Sequence, residues 1–187
     1  DADMNFNSGT GVFEVNGGRL FVSRNINMSS GGGASGTLTI NGGDVFVQNS
    51  LDTRTNGDNN ATGTDTIDLT DGALVFGNDL GVFNATSNNT VSFSANGNDT
   101  ITFNWTGGLL AGVDEFTGVG NLTDTGAGAG VLHQQGGVHV VNAGTTTIDG
   151  NHQVDGGATI YAALPVGTQI GGPGEGAAII IDDAAAT

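Results

Sequence analysis

The sequence predicts an all-β protein built as a parallel β-helix, a solenoid whose coils differ in length. Two stretches carry the prediction, because GTGVFEVNGGRLFVSRNI (9–26) and GTLTINGGDVFVQNSL (36–51) repeat one pattern. Each has alternating apolar and polar residues, then Asn-Gly-Gly, then a second alternation. A strand with one buried face needs that period of two. A repeated strand–turn–strand unit buries its apolar face by stacking on its neighbours.

The turn between the two strands recurs along the chain at intervals of 20 to 36 residues. Such uneven spacing suits coils whose loops differ in length while their strands stack. Glycine fits these corners because it adopts positive φ angles without a steric penalty. The related triplets are Asn16-Gly17-Gly18, Asn41-Gly42-Gly43, Thr70-Asp71-Gly72, Thr106-Gly107-Gly108, Gln135-Gly136-Gly137 and Asp155-Gly156-Gly157.

Apolar pairs flank these turns and predict which side chains face inwards. The pairs before the first four turns are Phe13/Val15, Leu38/Ile40, Ile67/Leu69 and Phe103/Trp105, and those after the first three are Leu20/Val22, Val45/Val47 and Leu74/Phe76. In the last two units the better inward candidates, Val138 with Val140 and Ala158 with Ile160, are shifted by one residue. Either a bulge resets the phase there or these units are not true repeats.

An antiparallel β-sandwich of hairpins is the alternative fold, because Asn-Gly also closes two-residue hairpins. Recurrence with alignable inward positions favours the solenoid. The domain division follows from composition: residues 1–170 form the solenoid, and residues 171–187 form a Gly-rich spacer and an apolar C-terminal strand. Gly is abundant at 35 residues, but with 2 Pro and no Gly-X-Y period the chain is not collagen.

The charge balance restricts the partners. The chain has 19 acidic residues against 3 arginines and no lysine, a net charge of −16, and therefore repels nucleic acid and anionic membranes. No stretch reaches the ~20 apolar residues of a membrane span. Divalent cations and neutral glycans remain as partners. The chain starts at Asp1 rather than Met, which suggests an exported and processed product or a trimmed one.

The motifs LTINGGDVFV (38–47), FEVNGGRLFV (13–22) and GVHVVNAGTTTIDG (137–150) resemble the repeats of bacterial exported β-helix proteins. These include autotransporter passenger domains and surface proteins of the PEP-CTERM type. The resemblance implies that the β-helix is right-handed. It also implies export, an extracellular or cell-surface location, and a surface or matrix role.

Calcium is the most plausible ion, because carboxylate, amide and hydroxyl oxygens are its preferred ligands. The segment TNGDNNATGTDTIDLTDG (55–72) carries Asp58, Asp65, Asp68 and Asp71 in and after a long predicted loop. A second stretch, NGNDTITF (96–103), resembles half of a calcium-binding nonapeptide repeat and contains Asp99. Solvated polar loops are the alternative interpretation of both stretches.

No constellation predicts catalysis, and the chain is not expected to be an enzyme. The spacings of His133, His139 and His152 match no zinc motif, so they are predicted to be solvent-facing strand residues rather than ligands. A metal or catalytic site would need two of them to meet a carboxylate such as Asp149 or Asp155. A glycoside hydrolase with paired carboxylates remains a third, weaker alternative.

Two features predict self-association. The C-terminal strand contains Ile179, Ile180 and Ile181, which either fold back on their own subunit or add to the open edge of the next one. On the outward face, Phe21, Phe46 and Val75 should form one apolar column, to pack a loop or contact another subunit. The predicted function is a secreted structural subunit that polymerises into a filament, sheath or surface layer. The alternative is an adhesin-like module that binds glycans.

Overall fold

The computed structural model describes residues 3–6, 9–28, 34–53, 62–77, 89–95, 99–123, 127–141, 147–161 and 178–181. Within these ranges nineteen strands, numbered β1–β19 in chain order, form three sheets. Every strand pair in these ranges is parallel. The fold is therefore a parallel β-helix, as predicted, and the antiparallel sandwich is wrong.

Each sheet takes one strand from each coil. Sheet A contains β1 (Met4–Asn5), β4 (Ile26–Asn27), β7 (Ser50–Asp52), β10 (Thr90–Ser92), β13 (Glu115–Thr117) and β16 (Thr147–Ile148). Sheet B contains β2 (Thr10–Val15), β5 (Ser35–Ile40), β8 (Thr64–Leu69), β11 (Thr100–Trp105), β14 (Val131–Gln134), β17 (Asn151–Val154) and β19 (Ala178–Ile181). Sheet C contains β3 (Arg19–Val22), β6 (Asp44–Val47), β9 (Ala73–Phe76), β12 (Leu109–Ala111), β15 (Val138–Val140) and β18 (Thr159–Tyr161). A short 3-10 turn, Val119–Asn121, lies between β13 and β14.

Coils 1 to 6 each run through sheets A, B and C in that order, so that β1–β3 form coil 1 and β16–β18 form coil 6. Strand β19 continues sheet B beyond coil 6. The coils differ in length, as predicted: Thr64 pairs with Thr100, 36 residues later, whereas Val131 pairs with Asn151, 20 residues later. The strands stay in register because the difference in length falls in the connections between them.

The interior is a set of apolar ladders, one residue per coil. In sheet B the pairing aligns Val15, Ile40, Leu69 and Trp105. The last three of these are completely buried. Because stacked coils supply the buried face that one coil lacks, the inward positions predicted for the middle coils are confirmed. Sheet A adds a ladder that the turn pattern did not reveal, with Ile26, Leu51, Val91, Phe116 and Ile148 in register.

The turn glycines are explained by two constraints at once. Gly72 and Gly137 have φ angles of 76° and 74°, in the left-handed region that favours glycine. A Cβ atom at either position would also collide with the backbone of the turn glycine in the preceding coil, Gly43 or Gly108. The corners therefore stack backbone against backbone, and this is why the glycine pair recurs.

The predicted phase shift is wrong in coil 5 and right in coil 6. In β15 the inward residue is His139, which pairs with Leu110, whereas Val138 and Val140 face outwards. In coil 6 the turn holds one additional residue, Ala158, which is buried, and Ile160 then pairs with His139. The register between coils, rather than the polarity of each side chain, determines which residue points inwards.

Candidate functional site

The outer surface of sheet C carries two ladders of side chains. One ladder contains Phe21, Phe46, Val75, Ala111 and Val140, and the other contains Arg19, Asp44, Ala73, Leu109 and Val138. We call these ten residues the sheet C face. The predicted column of Phe21, Phe46 and Val75 is aligned as expected, and the structure extends it through two further coils.

Phe21 and Phe46 stack on each other at the N-terminal end of the sheet C face. Their ring centroids lie 5.0 Å apart with an interplanar angle of 15°. This distance matches the spacing between neighbouring strands, ~4.8 Å along the solenoid axis. The ring planes therefore lie across the axis, with their faces against each other and their edges towards solvent. Phe21 is 50% exposed and Phe46 is half-buried.

A groove of about 160 Å³ runs beside the two rings. Its lining combines the aromatic pair with polar groups one step further along the strands; the lining residues are Phe21, Val22, Ser23, Phe46, Val47, Gln48 and Gly77. The hydroxyl of Ser23 and the amide of Gln48 thus flank an otherwise apolar surface. This end of the face offers both apolar contact and a few hydrogen-bonding groups.

The sheet C face carries no net charge. Its two charged members, Arg19 and Asp44, are in register and their side chains form an ion pair at 3.5 Å. Both side chains are exposed, so the pair adds little to stability, but the charges cancel. The matching outward ladder of sheet B is polar and acidic, with Glu14, Thr39, Asp68, Asn104, His133 and Gln153. Sheet C is therefore the uncharged side of a chain whose net charge is −16.

Two of the carboxylates predicted to bind calcium point to opposite sides of β8. Asp65 faces inwards, is 1% exposed, and accepts a hydrogen bond from the Gly36 amide at 2.9 Å. Asp68 faces outwards and accepts hydrogen bonds from Asn104 at 2.7 Å and Thr39 at 3.3 Å. The period of two that makes a strand amphipathic separates these oxygens, since residues three apart lie on different faces.

The remaining predicted calcium ligands are placed separately. Asp71 lies in an exposed turn and accepts from the Gly72 amide at 2.8 Å, and Asp99 accepts from the Gly63 amide at 2.9 Å. Asp58 lies outside the described residues. Within the described part of the chain, no group of three or more acidic or histidine side chains is arranged to hold a metal ion. Calcium binding stays a prediction, which calorimetry with calcium and then chelator tests through a rise in Tm.

The C-terminal isoleucines lie in β19, which pairs with β17 of the same chain. The register joins His152 to Ile179, Gln153 to Ile180 and Val154 to Ile181. Of the two outcomes expected for this strand, the structure has the one in which it folds back on its own subunit. The Gly-rich spacer, 171–176, lies outside the described residues.

The prediction that the histidines face solvent is wrong. All three are buried, with exposures of 4% for His133 and 1% for both His139 and His152. His139 and His152 occupy inward ladder positions that are filled by Leu110 and Leu132 in the neighbouring coils. The signal was available in the sequence, because His139 follows Gly137 by the same two residues that separate Leu110 from Gly108.

His139 and His152 pack against Trp105 inside coils 4 to 6. Their ring centroids lie 5.4 Å and 6.2 Å from that of Trp105, and 5.7 Å from each other. Gln134 is buried in the same ladder as Trp105, and its side-chain amide donates to the carbonyls of Gly137 and Thr159 at 3.2 Å and 3.1 Å. Several buried atoms here have no hydrogen-bond partner among the residues that the structure describes: Trp105 Nε1, Gln134 Oε1, both ring nitrogens of His139, and His152 Nε2.

Burial keeps the two inner imidazoles neutral. It lowers the pKa of His139 to about 3, with a further contribution from His152. It also lowers the pKa of His152 to about 4, with His133 adding to the effect. Charging either ring would place a cation in an apolar interior, where no described carboxylate is hydrogen-bonded to it. We call Trp105, Gln134, His139 and His152 the inner polar cluster.

His133 lies on the other side of its strand and has a carboxylate partner. Its Nε2 lies 2.8 Å from Asp155 Oδ2, and Gln153 donates to the other carboxylate oxygen at 3.1 Å. Partial burial raises the pKa of Asp155, but the hydrogen bonds from Gln153 and His133 outweigh it, and the net shift is downwards. The other candidate carboxylate, Asp149, accepts from the Gly118 and Val119 amides and is not part of this pair.

No family model, no curated protein and no solved structure matches this chain. Among the described residues, there is no helix of the length and apolar character needed to cross a membrane. What the chain offers for a functional assignment is therefore its own geometry: the sheet C face, the β17–β19 pairing and the inner polar cluster.

Proposed function

We propose that this chain is an extracellular structural subunit that self-associates into a filament, sheath or surface layer, and that copies are linked by exchange of strand β19. The observation that carries the proposal is the in-register pairing of β19 with β17 across four residue pairs. An edge strand supplies a row of backbone hydrogen-bonding groups to any partner strand. The same pairing therefore suits β19 of the same copy or of the next one.

Strand exchange keeps every contact of the closed subunit and changes only which copy supplies the strand. It is for this reason a low-cost route to assembly. Residues 162–177 connect β18 to β19, and a segment of that length reaches at most ~55 Å when extended. If each copy donates its strand to the next, the contact is heterologous and does not close, so the product is a linear polymer.

The net charge determines the conditions under which copies can associate. Self-repulsion at a net charge of −16 keeps copies apart at low salt, so association needs specific contacts and becomes easier as salt screens the charge. A solenoid of stacked coils is also quasi-one-dimensional and suits the repeating body of a fibre or layer. The resemblance of the repeats to those of exported β-helix proteins is consistent with this role. The proposal assigns no catalytic residue.

A pair of introduced cysteines tests the exchange. The chain has no cysteine, so replacing Gln153 and Ile180, which are in register, introduces one disulfide across the β17–β19 pair. Exchange predicts a ladder of disulfide-linked oligomers on a non-reducing gel after oxidation in assembly conditions. The matched control replaces Glu14 and Thr39, which are in register within the body and should link only within one copy. A Gln153/Ile180 variant that oxidises only to monomer contradicts the exchange.

Glycan binding is the second candidate, and the groove beside Phe21 is the observation that favours it. Aromatic side chains flanked by a hydroxyl and an amide, here Ser23 and Gln48, are groups that bind neutral sugars. A glycan-array screen of the chain, followed by Gln48→Ala, tests this candidate. Binding of a neutral glycan that is lost in Gln48→Ala, in a chain that stays monomeric, would favour the adhesin function over the structural one.

A further inference from the structure

The sheet C face has the composition of an inner sheet surface, although it lies on the outside of the solenoid. Eight of its ten positions hold Phe, Val, Leu or Ala, in register through five coils. The two alanines, Ala73 and Ala111, are buried, so the accessible apolar surface is that of the larger side chains: Phe21 is exposed, and Phe46, Val75, Leu109, Val138 and Val140 are half-buried. The outward positions of sheet A are polar at the same heights, with Ser50, Thr90, Glu115 and Thr147. Two sheets that pack face to face in a sandwich present such apolar ladders to each other.

We propose that the sheet C face is a lateral contact between two copies of this chain, packed sheet against sheet. The inference deepens the proposed self-association and rests on it, but it uses a surface separate from the β17–β19 pair. Strand exchange would link copies along the solenoid, whereas this contact joins them side by side. Together the two contacts would give a paired fibre rather than a single one, because each copy has one sheet C face and therefore one lateral neighbour.

The distribution of charge favours a second copy of the chain as the partner that binds this face. The chain carries −16, and the outward ladders of sheets A and B present acidic residues such as Glu14, Asp68 and Glu115. Two copies that meet through either of those sheets bring like charges together. On the sheet C face the only charges are those of Arg19 and Asp44, which form an ion pair. Two copies that meet through this face therefore bury apolar surface without bringing like charges into contact.

The orientation of the rings favours protein over sugar at the same surface. Sugars pack their apolar faces flat against an aromatic ring. Phe21 and Phe46 stack at 5.0 Å, so the two ring faces between them are closed to a sugar, and only the outer face of Phe21, in the terminal strand of the described sheet, has no ring stacked on it. Ring edges suit interdigitation with the Val and Leu side chains of a facing sheet, and aromatic pairs also meet edge to face. Such a contact would be isologous, with a residue near the two-fold axis lying opposite itself.

Sedimentation velocity of the full chain over a concentration series tests the contact. The variant Phe21→Ser/Val140→Thr changes two outward positions at opposite ends of one ladder, and we expect at least a tenfold weaker dimer. The matched control is Val12→Thr, which makes the same chemical change at a 61% exposed position on the outside of sheet B. We expect no change in association for Val12→Thr, and native far-UV circular dichroism for all three proteins.

A cysteine scan locates the contact and separates it from strand exchange. Single cysteines at Phe46, Val75 and Val140 should form inter-copy disulfides, fastest at the position nearest the two-fold axis, while Val12→Cys should not. These links should persist when β19 is locked to its own β17 by the oxidised Gln153/Ile180 pair. If the links persist and the exchange ladder is absent, the lateral contact stands and the exchange fails. The lateral contact is overturned if the chain remains monomeric at high concentration. It is also overturned if the dimer is unaffected by Phe21→Ser/Val140→Thr. Glycan binding by a monomeric chain would instead assign the face to a sugar.

Discussion

The interiors of coils 2–4 and of coils 5–6 use the same ladder positions but fill them with different chemistry. Along one ladder of sheet B, Ile40, Leu69 and Trp105 are followed by Gln134. Along the sheet C ladder, Leu110 is followed by His139, and both are buried to within 1%. The backbone register continues from coils 2–4 into coils 5–6 without a break. Side chains that are equally buried in the two regions therefore contribute different amounts to the free energy of unfolding.

The difference shows that stacked coils can hold polar side chains inside the solenoid even where some of the buried atoms have no hydrogen-bond partner among the described residues. Neighbouring coils are joined by parallel backbone hydrogen bonds, such as Val138 N–H to Gly108 O at 2.8 Å and Gln135 N–H to Trp105 O at 2.9 Å. These bonds keep coil 5 aligned with coil 4 whatever side chain points inwards. Each unpartnered buried polar atom costs about 1–3 kcal/mol, so coils 5 and 6 should be the weaker end of the described solenoid.

The largest expected effect comes from placing a charge in the apolar ladder of Ile40, Leu69 and Trp105, away from the backbone amide that donates to the buried Asp65. Ile40→Asp removes a completely buried side chain and leaves a carboxylate inside the stack. We expect a loss of about 5 kcal/mol or more, comparable to the whole stability of many domains, so the variant should not fold. Far-UV circular dichroism and urea denaturation measure the loss.

The control for this substitution lies three residues away on the same strand. Thr37→Asp introduces the same side chain at an outward position between Val12 and Thr66, and it should cost less than about 1 kcal/mol. A folded Ile40→Asp variant with a stability close to that of Thr37→Asp would contradict the inward assignment of this ladder.

Acid should destabilise coils 5 and 6, which contain the two buried histidines. His139 and His152 have folded-state pKa values of about 3 and 4, below the ordinary value of 6.5, so the unfolded chain binds more protons than the folded one as the pH falls. Their contribution is intact above pH 6.5 and is lost as the pH falls from 6.5 towards 4. At pH 4 the loss approaches about 3 kcal/mol for each histidine, since one pH unit corresponds to about 1.4 kcal/mol.

The only tryptophan of the chain reports on this half directly. Trp105 lies against both imidazoles, so its fluorescence should change as coils 5 and 6 loosen. We expect the fluorescence transition at a higher pH than the loss of far-UV circular dichroism, which follows all coils. In the variant His139→Leu/His152→Leu the fluorescence transition should move down in pH. The prediction fails if the fluorescence and circular dichroism transitions coincide and the double variant does not shift them. Coils 2–4 and coils 5–6 would then unfold together for a reason other than protonation of these two histidines.

The sequence allowed the fold to be predicted better than the contents of its second half. Alternating apolar residues around Asn41-Gly42-Gly43 are strong signals, because period and turn chemistry agree there. In coil 5 the two signals conflict: the glycine pair places His139 inwards, whereas hydrophobicity favours Val138 and Val140. The structure follows the register, because Leu110 pairs with His139 and not with either valine. Counting from the turn glycine would have placed His139 inwards.

The outer surface was predictable only in part, for a different reason. Phe21 and Phe46 are recognisable as outward because their own strands alternate clearly. The continuation through Ala111 and Val140 depends on the pairing between coils of unequal length, which the sequence does not specify. For Asp65 and Asp68 the alternation along the strand is sufficient to predict that the two carboxylates lie on opposite faces. The groups that donate hydrogen bonds to them cannot be predicted in this way, because they belong to neighbouring coils.

Restoring an apolar residue in coil 5 should strengthen the weaker half. His139→Leu introduces the residue that coil 4 has at the paired position. It also removes two ring nitrogens that have no hydrogen-bond partner in the described part of the chain. We expect a gain of about 1–3 kcal/mol in the free energy of unfolding at pH 7, measured in urea. The reciprocal variant, Leu110→His, should lose a similar amount. If His139→Leu destabilises the chain, the ring nitrogens make favourable interactions and the inner polar cluster is not a weak point.

The smallest expected effect concerns the histidine on the outer side of the same coil. Asp155→Asn removes the carboxylate partner of His133, whose pair is partly exposed, and should cost no more than about 1 kcal/mol at pH 7. The pKa of Asp155 is lowered, so its contribution is present above its ordinary value of 3.8 and is lost only below it. Asp155 therefore remains ionised while the inner histidines are destabilising the fold between pH 6.5 and pH 4. The Trp105 fluorescence transition of Asp155→Asn should consequently keep its midpoint, whereas a shift as large as that of His139→Leu/His152→Leu would assign the acid response to the outer pair.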